Sequence, residues 1–273
     1  MNFSINEKLP VYEIKAENFA AQSSNKIHNS EMAQTYGFSE GLVPGIAIYA
    51  YMAHPIAMTL GIDWLKNGTI NAKFIKPVYH GETIHIHCQA VTLHPLSFEI
   101  NVINSKDILC AVGNAGFSNT NPVLLPADYP DHPLPHPDNL YPARCQSILP
   151  GTRLGDISLQ FDDDDPEAYF FENIQKTLPI FQNPDSILHP AVILQFANLI
   201  VIKNINVGPW IHVSSNVTNY APVFHGSQFR MKGNVIDSYQ KKGNDFLVLD
   251  LAVFNKNNDP VAHIEHRAII RLK

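Results

Sequence analysis

At 273 residues, with 45% hydrophobic and 16% charged side chains, the chain can form one large domain or two small ones around a sizeable core. Nineteen basic against twenty-five acidic residues leave a formal charge of -6, which argues against a nucleic-acid surface. The scattered Cys88, Cys110 and Cys145 lack metal-ligand spacing and suit a reducing, cytoplasmic setting, and the N-terminus shows no secretory signal.

Val11–Ile14 reads as a short strand and Ala16–Ala21 as a short helix. A polar loop carrying Ser23, Asn25 and His28 comes next, and Asn29 or Ser30 is placed to cap a helix through Tyr36 that Gly37 stops. Leu42-Val43-Pro44-Gly45 then introduces an apolar run from Ile46 to Leu60, closed by Gly61. Ile46, Ala47, Ile48, Ala50, Met52 and Ala53 leave almost no polar face, so a helix here must be wrapped by other structure, with Pro55 expected to kink or end it. Neither this run nor Ala191–Ile202 reaches the ~20 apolar residues of a membrane span, so none is expected.

From Ile70 the period changes: Ile84, Ile86 and Cys88 alternate with polar residues, as do Phe98, Ile100 and Val102, and Ile108–Val112 gives a further strand. Residues 122–150 hold eight prolines and read as a stiff, extended linker. Beyond this linker the chain repeats its first half. Pro77-Val78-Tyr79-His80-Gly81 returns as Pro222-Val223-Phe224-His225-Gly226, and at the same spacing Leu42–Gly45 falls on Ile187–Pro190 and the apolar helix on Ala191–Ile202. Trp64-Leu65 and Trp210-Ile211 pair one residue out of register, and the second sheet is expected over Phe229–Val235, Phe246–Phe254 and Val261–Leu272. The division is therefore 1–121, a linker over 122–150, and 151–273.

A sheet around one long apolar helix, twice in a chain, resembles the α+β double hotdog fold. The first half resembles the MaoC-like dehydratases and (R)-specific enoyl-CoA hydratases through Asn25-x-Ile27-His28, Glu31-x-Ala33, Gly37-Phe38, Leu42-Val43-x-Gly45 and Pro77-Val78-Tyr79-x-Gly81. In that family an Asp-x-Asn-Pro-x-His loop adds or removes water across the double bond of an acyl thioester. The matching segment is Ser23-Ser24-Asn25-Lys26-Ile27-His28, with Ser23 in place of the Asp and Lys26 in place of the Pro. A serine hydroxyl can hold water but is no general base at neutral pH, whereas His28 can transfer protons. The resemblance implies His28, Ser23 and Asn25 as the catalytic group, with Asn25 fixing the loop or positioning water. Gly45 would be the backbone donor to the thioester carbonyl, flanked by Pro44 and Val43; the family usually has His where Pro44 stands. Glu31 and Glu40 are the carboxylates nearest in sequence.

The counterpart of His28 in the second copy falls near Asn173, without a histidine, so that half is expected to lack a site and to widen the acyl groove. One chain would then act as its own dimer, with homodimerisation left open. His85 and His87 share a strand face without a third ligand, His80 and His225 read as turn residues, and Asp162–Asp165 leads into a helix start at Pro166, so no metal is expected. Lys73, Lys76 and Arg144 are candidates for CoA phosphates by charge alone. The expected function is a hydratase or dehydratase of 2-enoyl or 3-hydroxyacyl chains, with CoA or acyl carrier protein part of the substrate and no other cofactor. The alternatives are an acyl-CoA thioesterase on the same scaffold and a non-catalytic acyl-binding protein.

Overall fold

Alternating apolar residues build the sheet on which everything else sits. In the first half the strands are β1 (Tyr12–Lys15), β2 (Gly68–Phe74), β3 (Thr83–Leu93), β4 (Leu96–Asn104) and β5 (Leu109–Phe117). The buried face of β3 and β4 is the one that the alternation marks: Ile84, Ile86 and Cys88 with Phe98, Ile100 and Val102. Each such side chain contributes about 1.5–3 kcal/mol by leaving water. The computed structural model describes residues 3–160, 179–181 and 187–273. Asp162–Pro166 and Asn173 lie outside the described residues.

The second half supplies β7 (Arg153–Gln160), β9 (Ile211–Asn219), β10 (Gln228–Lys241), β11 (Asn244–Asn255) and β12 (Pro260–Arg271). Together they form one ten-stranded sheet in the order β1-β3-β4-β5-β2-β9-β12-β11-β10-β7. The seam is the antiparallel pair of β2 with β9, running from Thr69 opposite Thr218 to Lys73 opposite Ser214. The two copies thus share a sheet, and residues more than a hundred positions apart in sequence become neighbours across it.

Two largely buried helices, one from each half, pack against this sheet. Helix α1 (Ser30–Thr35) is short, capped by the Asn29 side chain accepting from the Met32 N–H at 3.1 Å, and stopped at Gly37, whose φ of 82° suits glycine. Helix α2 (Gly45–Asn67) packs on β2, β5 and β9, with every residue from Ile46 to Ala57 buried. It continues past Pro55 with helical backbone, contrary to the kink or end expected there. Burial on all sides offsets the ~3 kcal/mol local cost of the missing N–H, and the interruption falls instead at Gly61, where φ is 63° and ψ -151°. By length and composition α2 could cross a membrane, against expectation, yet it is a core helix here, two-thirds buried over its most apolar window.

Residues 16–18 are irregular and 19–21 form a turn, not the expected helix. The Ala16 N–H donates to Glu82 O and its carbonyl accepts from the Gly81 N–H, both at 2.8 Å, while the Glu17 N–H donates to Tyr51 Oη. Those bonds continue the sheet edge and use up the groups a helix would need.

The repeat holds at the level of single hydrogen bonds. Leu42 bridges Tyr79 and Ile187 bridges Phe224; the Val43 N–H donates to Val78 O at 2.9 Å and the Leu188 N–H to Val223 O at 2.7 Å. Gly81 and Gly226 close the two turns at φ 79° and 72°. Helix α3 (Ala191–Asn204) is the counterpart of α2. The tryptophans do not correspond: Trp64 lies in α2, whereas Trp210 lies beyond α3 in the loop entering β9.

The proline-rich segment is a strap, not a free spacer. Tyr129 Oη donates to Asp250 at 2.8 Å, Lys232 Nζ donates to Tyr129 O at 2.9 Å, and Leu124 and Tyr129 pack on Ala252 and Phe254 in a cluster separate from the main core. Further along, β6 (Tyr141–Pro142) pairs in parallel with β8 (Ile205–Asn206), just after α3.

Candidate active site

Ile27, 1% exposed, pins the loop before α1 by packing with Ala33 and Leu42, and the Leu42 N–H donates to Ile27 O. This sets the ring of His28 beside the chain that enters α2. His28 Nδ1 is 2.8 Å from Leu42 O. A carbonyl only accepts, so Nδ1 carries the proton and Nε2 presents its lone pair. Asn25 Nδ2 stands 3.3 Å from that Nε2. Burial lowers the pKa of His28 below its ordinary value, partly offset by the bond to Leu42, so the ring is neutral at pH 7.

Asn25 does more than hold its own loop. Its Nδ2 donates to Trp210 O at 3.0 Å, and its Oδ1 accepts from the Trp210 N–H at 3.1 Å. This two-way clamp ties the His28 loop to the backbone just ahead of β9, in the other half.

Two cavities meet at His28. One, of about 290 Å³, is lined by Phe38, Leu42, Val43, Gly45, Phe74 and Val78 from the first half and Ile211, His212 and Phe246 from the second. The other, of about 240 Å³, is lined by Phe19, Ser23, Ile46, Gln195, Phe196 and Leu199. Asn25, His28, Pro44, Asn198 and Trp210 line both and stand between them. Of the predicted residues, His28, Asn25, Pro44, Val43 and Gly45 therefore meet at the larger cavity, and Ser23 faces the smaller, where its Oγ donates weakly to Asn25 O at 3.4 Å.

Glu31 and Glu40 are exposed and line neither cavity, whose described linings contain no Asp or Glu. Of the three basic candidates, Lys76 lines the larger cavity, while Lys73 and Arg144 do not. His85 pairs with exposed Glu13 at 3.1 Å, and among the described residues no group of three could hold a metal ion.

Gly45 opens α2 without a side-chain cap, since Pro44 precedes it; the Ala47 and Ile48 N–H groups donate back to Pro44 O, while the Gly45 N–H has no hydrogen-bond partner among the described residues. Its φ is not left-handed; the lack of a side chain serves close approach instead. A β-carbon at this position would come 2.9 Å from both His212 Nδ1 and Phe74 Cε2. Trp210, His212 and Asn198 are the site residues that the first half's motifs could not reveal. They reach the cavity only because β9 pairs with β2 and α3 packs beside α2.

No protein-family model and no curated protein sequence matches the chain. Among solved structures it is similar to a protein described as a MaoC domain dehydratase from Chloroflexus aurantiacus, with TM-score 0.67, 11% identity, and coverage of 98% of this chain and 96% of that one. A conserved Mycobacterium tuberculosis protein described as having a double hotdog fold matches at TM-score 0.66 with 13% identity, over 98% of this chain and 96% of the other. A structure described as an oleoyl thioesterase from Lactobacillus plantarum matches at 0.53 with 9% identity, over 98% of both chains. With the continuous sheet, the two buried helices and the repeated turns, these full-length likenesses identify the chain as a double hotdog protein, a hotdog pseudo-dimer within one polypeptide.

Proposed function

We propose that the protein acts on acyl thioesters as a reversible hydratase/dehydratase, with His28 as its acid–base group. The observation that supports this most is the state of His28: a neutral imidazole, Nδ1 locked on Leu42 O, Nε2 turned to Asn25, at the waist of two largely apolar cavities and beside the open N-terminus of α2. In the hydration direction Nε2 takes a proton from water as its oxygen bonds to the third acyl carbon. The alkene electrons move toward the thioester, and the carbonyl oxygen gains negative charge within reach of the Gly45 N–H. The imidazolium then returns its proton to the second acyl carbon, which closes the cycle. Asn25 orients the ring and the water; Ser23 gives the water a further hydroxyl contact from the smaller cavity.

A thioesterase is the second reading, favoured by the absence of any carboxylate in the described lining. There the same activated water attacks the carbonyl carbon and the thiolate leaves. Incubation with crotonyl-CoA and with decanoyl-CoA separates the readings: loss of enone absorbance supports hydration and release of thiol supports hydrolysis. Neither signal, with acyl-CoA bound, identifies a binding protein. Ser23→Asp sharpens the test, because a carboxylate there raises hydration about tenfold if the lost acid–base partner is what limits the rate, and leaves hydrolysis of the saturated thioester unchanged.

A further inference from the structure

A second imidazole reaches the larger cavity from the other half of the molecule. His212, at the start of β9, is 8% exposed and lines that cavity opposite His28. Its Nε2 lies 2.8 Å from Ser215 Oγ, which lies 3.0 Å from Nδ1 of His266 on β12. The two rings sit with centroids 4.3 Å apart. At its ends His212 Nδ1 and His266 Nε2 are buried and make no well-formed hydrogen bond, although the His212 ring also feels the Ser214 backbone. A network kept only to pin the β9–β12 register would be expected to satisfy its ends. This one leaves one end close to Gly45, where a β-carbon would come 2.9 Å from Nδ1, so that the lack of a side chain spares the nitrogen a direct clash.

The hydrogen bonds can run in two senses. In one, His266 Nδ1–H donates to Ser215, the Ser215 hydroxyl donates to His212 Nε2, and His212 Nδ1 carries a proton. In the other every donor and acceptor is reversed. Burial keeps both rings neutral, His266 pushed down to about 3 and His212 well below its ordinary value. Each sense leaves one orphan N–H, and an incoming carbonyl oxygen relieves it only in the first.

We propose that His212 Nδ1–H is a second donor to the thioester carbonyl oxygen, alongside the Gly45 N–H, with Ser215 and His266 as positioning residues that hold the donating tautomer. No proton leaves His212. It stabilises the oxygen as charge develops there, whether water attacks the alkene or the carbonyl, so the role serves both reactions above and rests on the acyl-thioester reading itself.

The test is binding, not turnover. Two CoA derivatives with ten-carbon chains are compared: a dethia ketone, which keeps the carbonyl and resists hydrolysis, and a thioether, which lacks the carbonyl. The wild type should bind the ketone about tenfold more tightly. His212→Phe, which keeps a ring but no donor, should erase that preference, and His212→Asn, which restores an N–H near the Nδ1 position, should recover part of it. Should His212→Phe fail to fold, Ser215→Ala is expected to reduce the preference, and the Nδ1 nitrogen resonance of His212 in the wild type should shift when the ketone is added. Equal binding of the two ligands by the wild type overturns the proposal. So does a preference that survives His212→Phe, or, where that variant does not fold, an unmoved resonance. If the wild type binds neither ligand, the acyl-thioester reading fails and takes the proposal with it.

Discussion

The beginnings of α2 and α3 use the same backbone and reach opposite outcomes. Each is entered through a matching bridge, Leu42 to Tyr79 and Ile187 to Phe224. In the first half the entry is Pro44-Gly45, with a cavity and the His28 imidazole beside it. In the second it is His189-Pro190: His189 is fully buried, its Nδ1 accepts from the Ala191 N–H at 3.2 Å, and the Phe181 ring lies 5.1 Å from it. The histidine there plugs the helix start, and proline has no N–H to offer a carbonyl. The two copies therefore share one entry geometry, with a cavity beside the first helix start and core packing around the second.

The strongest way to break this contrast is His28→Ala, expected to cut kcat at least a hundredfold in whichever reaction is found; unchanged turnover removes His28 from the mechanism. Next comes Gly45→Ala. Its β-carbon meets His212 and Phe74 at 2.9 Å, so turnover should fall ten- to a hundredfold, with a cost of about 1–3 kcal/mol in denaturant unfolding from overpacking. The reciprocal change, Pro190→Ala, should leave turnover intact and lower stability by about 1 kcal/mol or less, through a freer unfolded chain. A comparable loss of activity from both variants would mean that the two helix starts are not divided in role.

Acidity probes the halves together. His28, His54, His189, His212 and His266 all have lowered pKa values, His54 to about 4 and His189 to about 3, with burial the leading cause in each. Their unfolded forms bind protons more readily, so this contribution is intact above about pH 6.5 and is lost as pH falls below it. A thermal scan should show Tm dropping by about 10 °C or more between pH 7 and pH 5. The kcat/KM profile should stay flat to a lower pH than an ordinary histidine allows, because His28 remains a base there.

Much of this was legible in the sequence, for reasons tied to local spacing. Alternation marks the buried face of β3 and β4 because side chains on a strand point to opposite faces in turn, and the Asn25–His28 loop announces itself by residues three apart. The repeated Pro-Val-x-His-Gly turns disclose the duplication because a left-handed glycine is needed at the end of each. What stayed hidden depends on long-range pairing. Asn198 sits in a segment that reads as an apolar helix, and His212 and Ser215 in β9, a strand that the sequence did not announce; only the β2–β9 seam and the α2–α3 contact turn them toward His28. Pro55 misleads for the related reason that burial outweighs a local helix defect, and Ala16–Ala21 because its backbone is claimed by Glu82, Gly81 and Tyr51.

The clamp between Asn25 and the backbone of Trp210 carries a consequence for the life of the chain. During synthesis the N-terminal copy leaves the ribosome with its histidine loop but without the peptide group that fixes it, because that group is encoded 185 positions downstream. Until Trp210 is made and β9 docks on β2, the Asn25 side chain lacks the partner that fixes it, so the geometry of the His28 loop is completed only by the second copy.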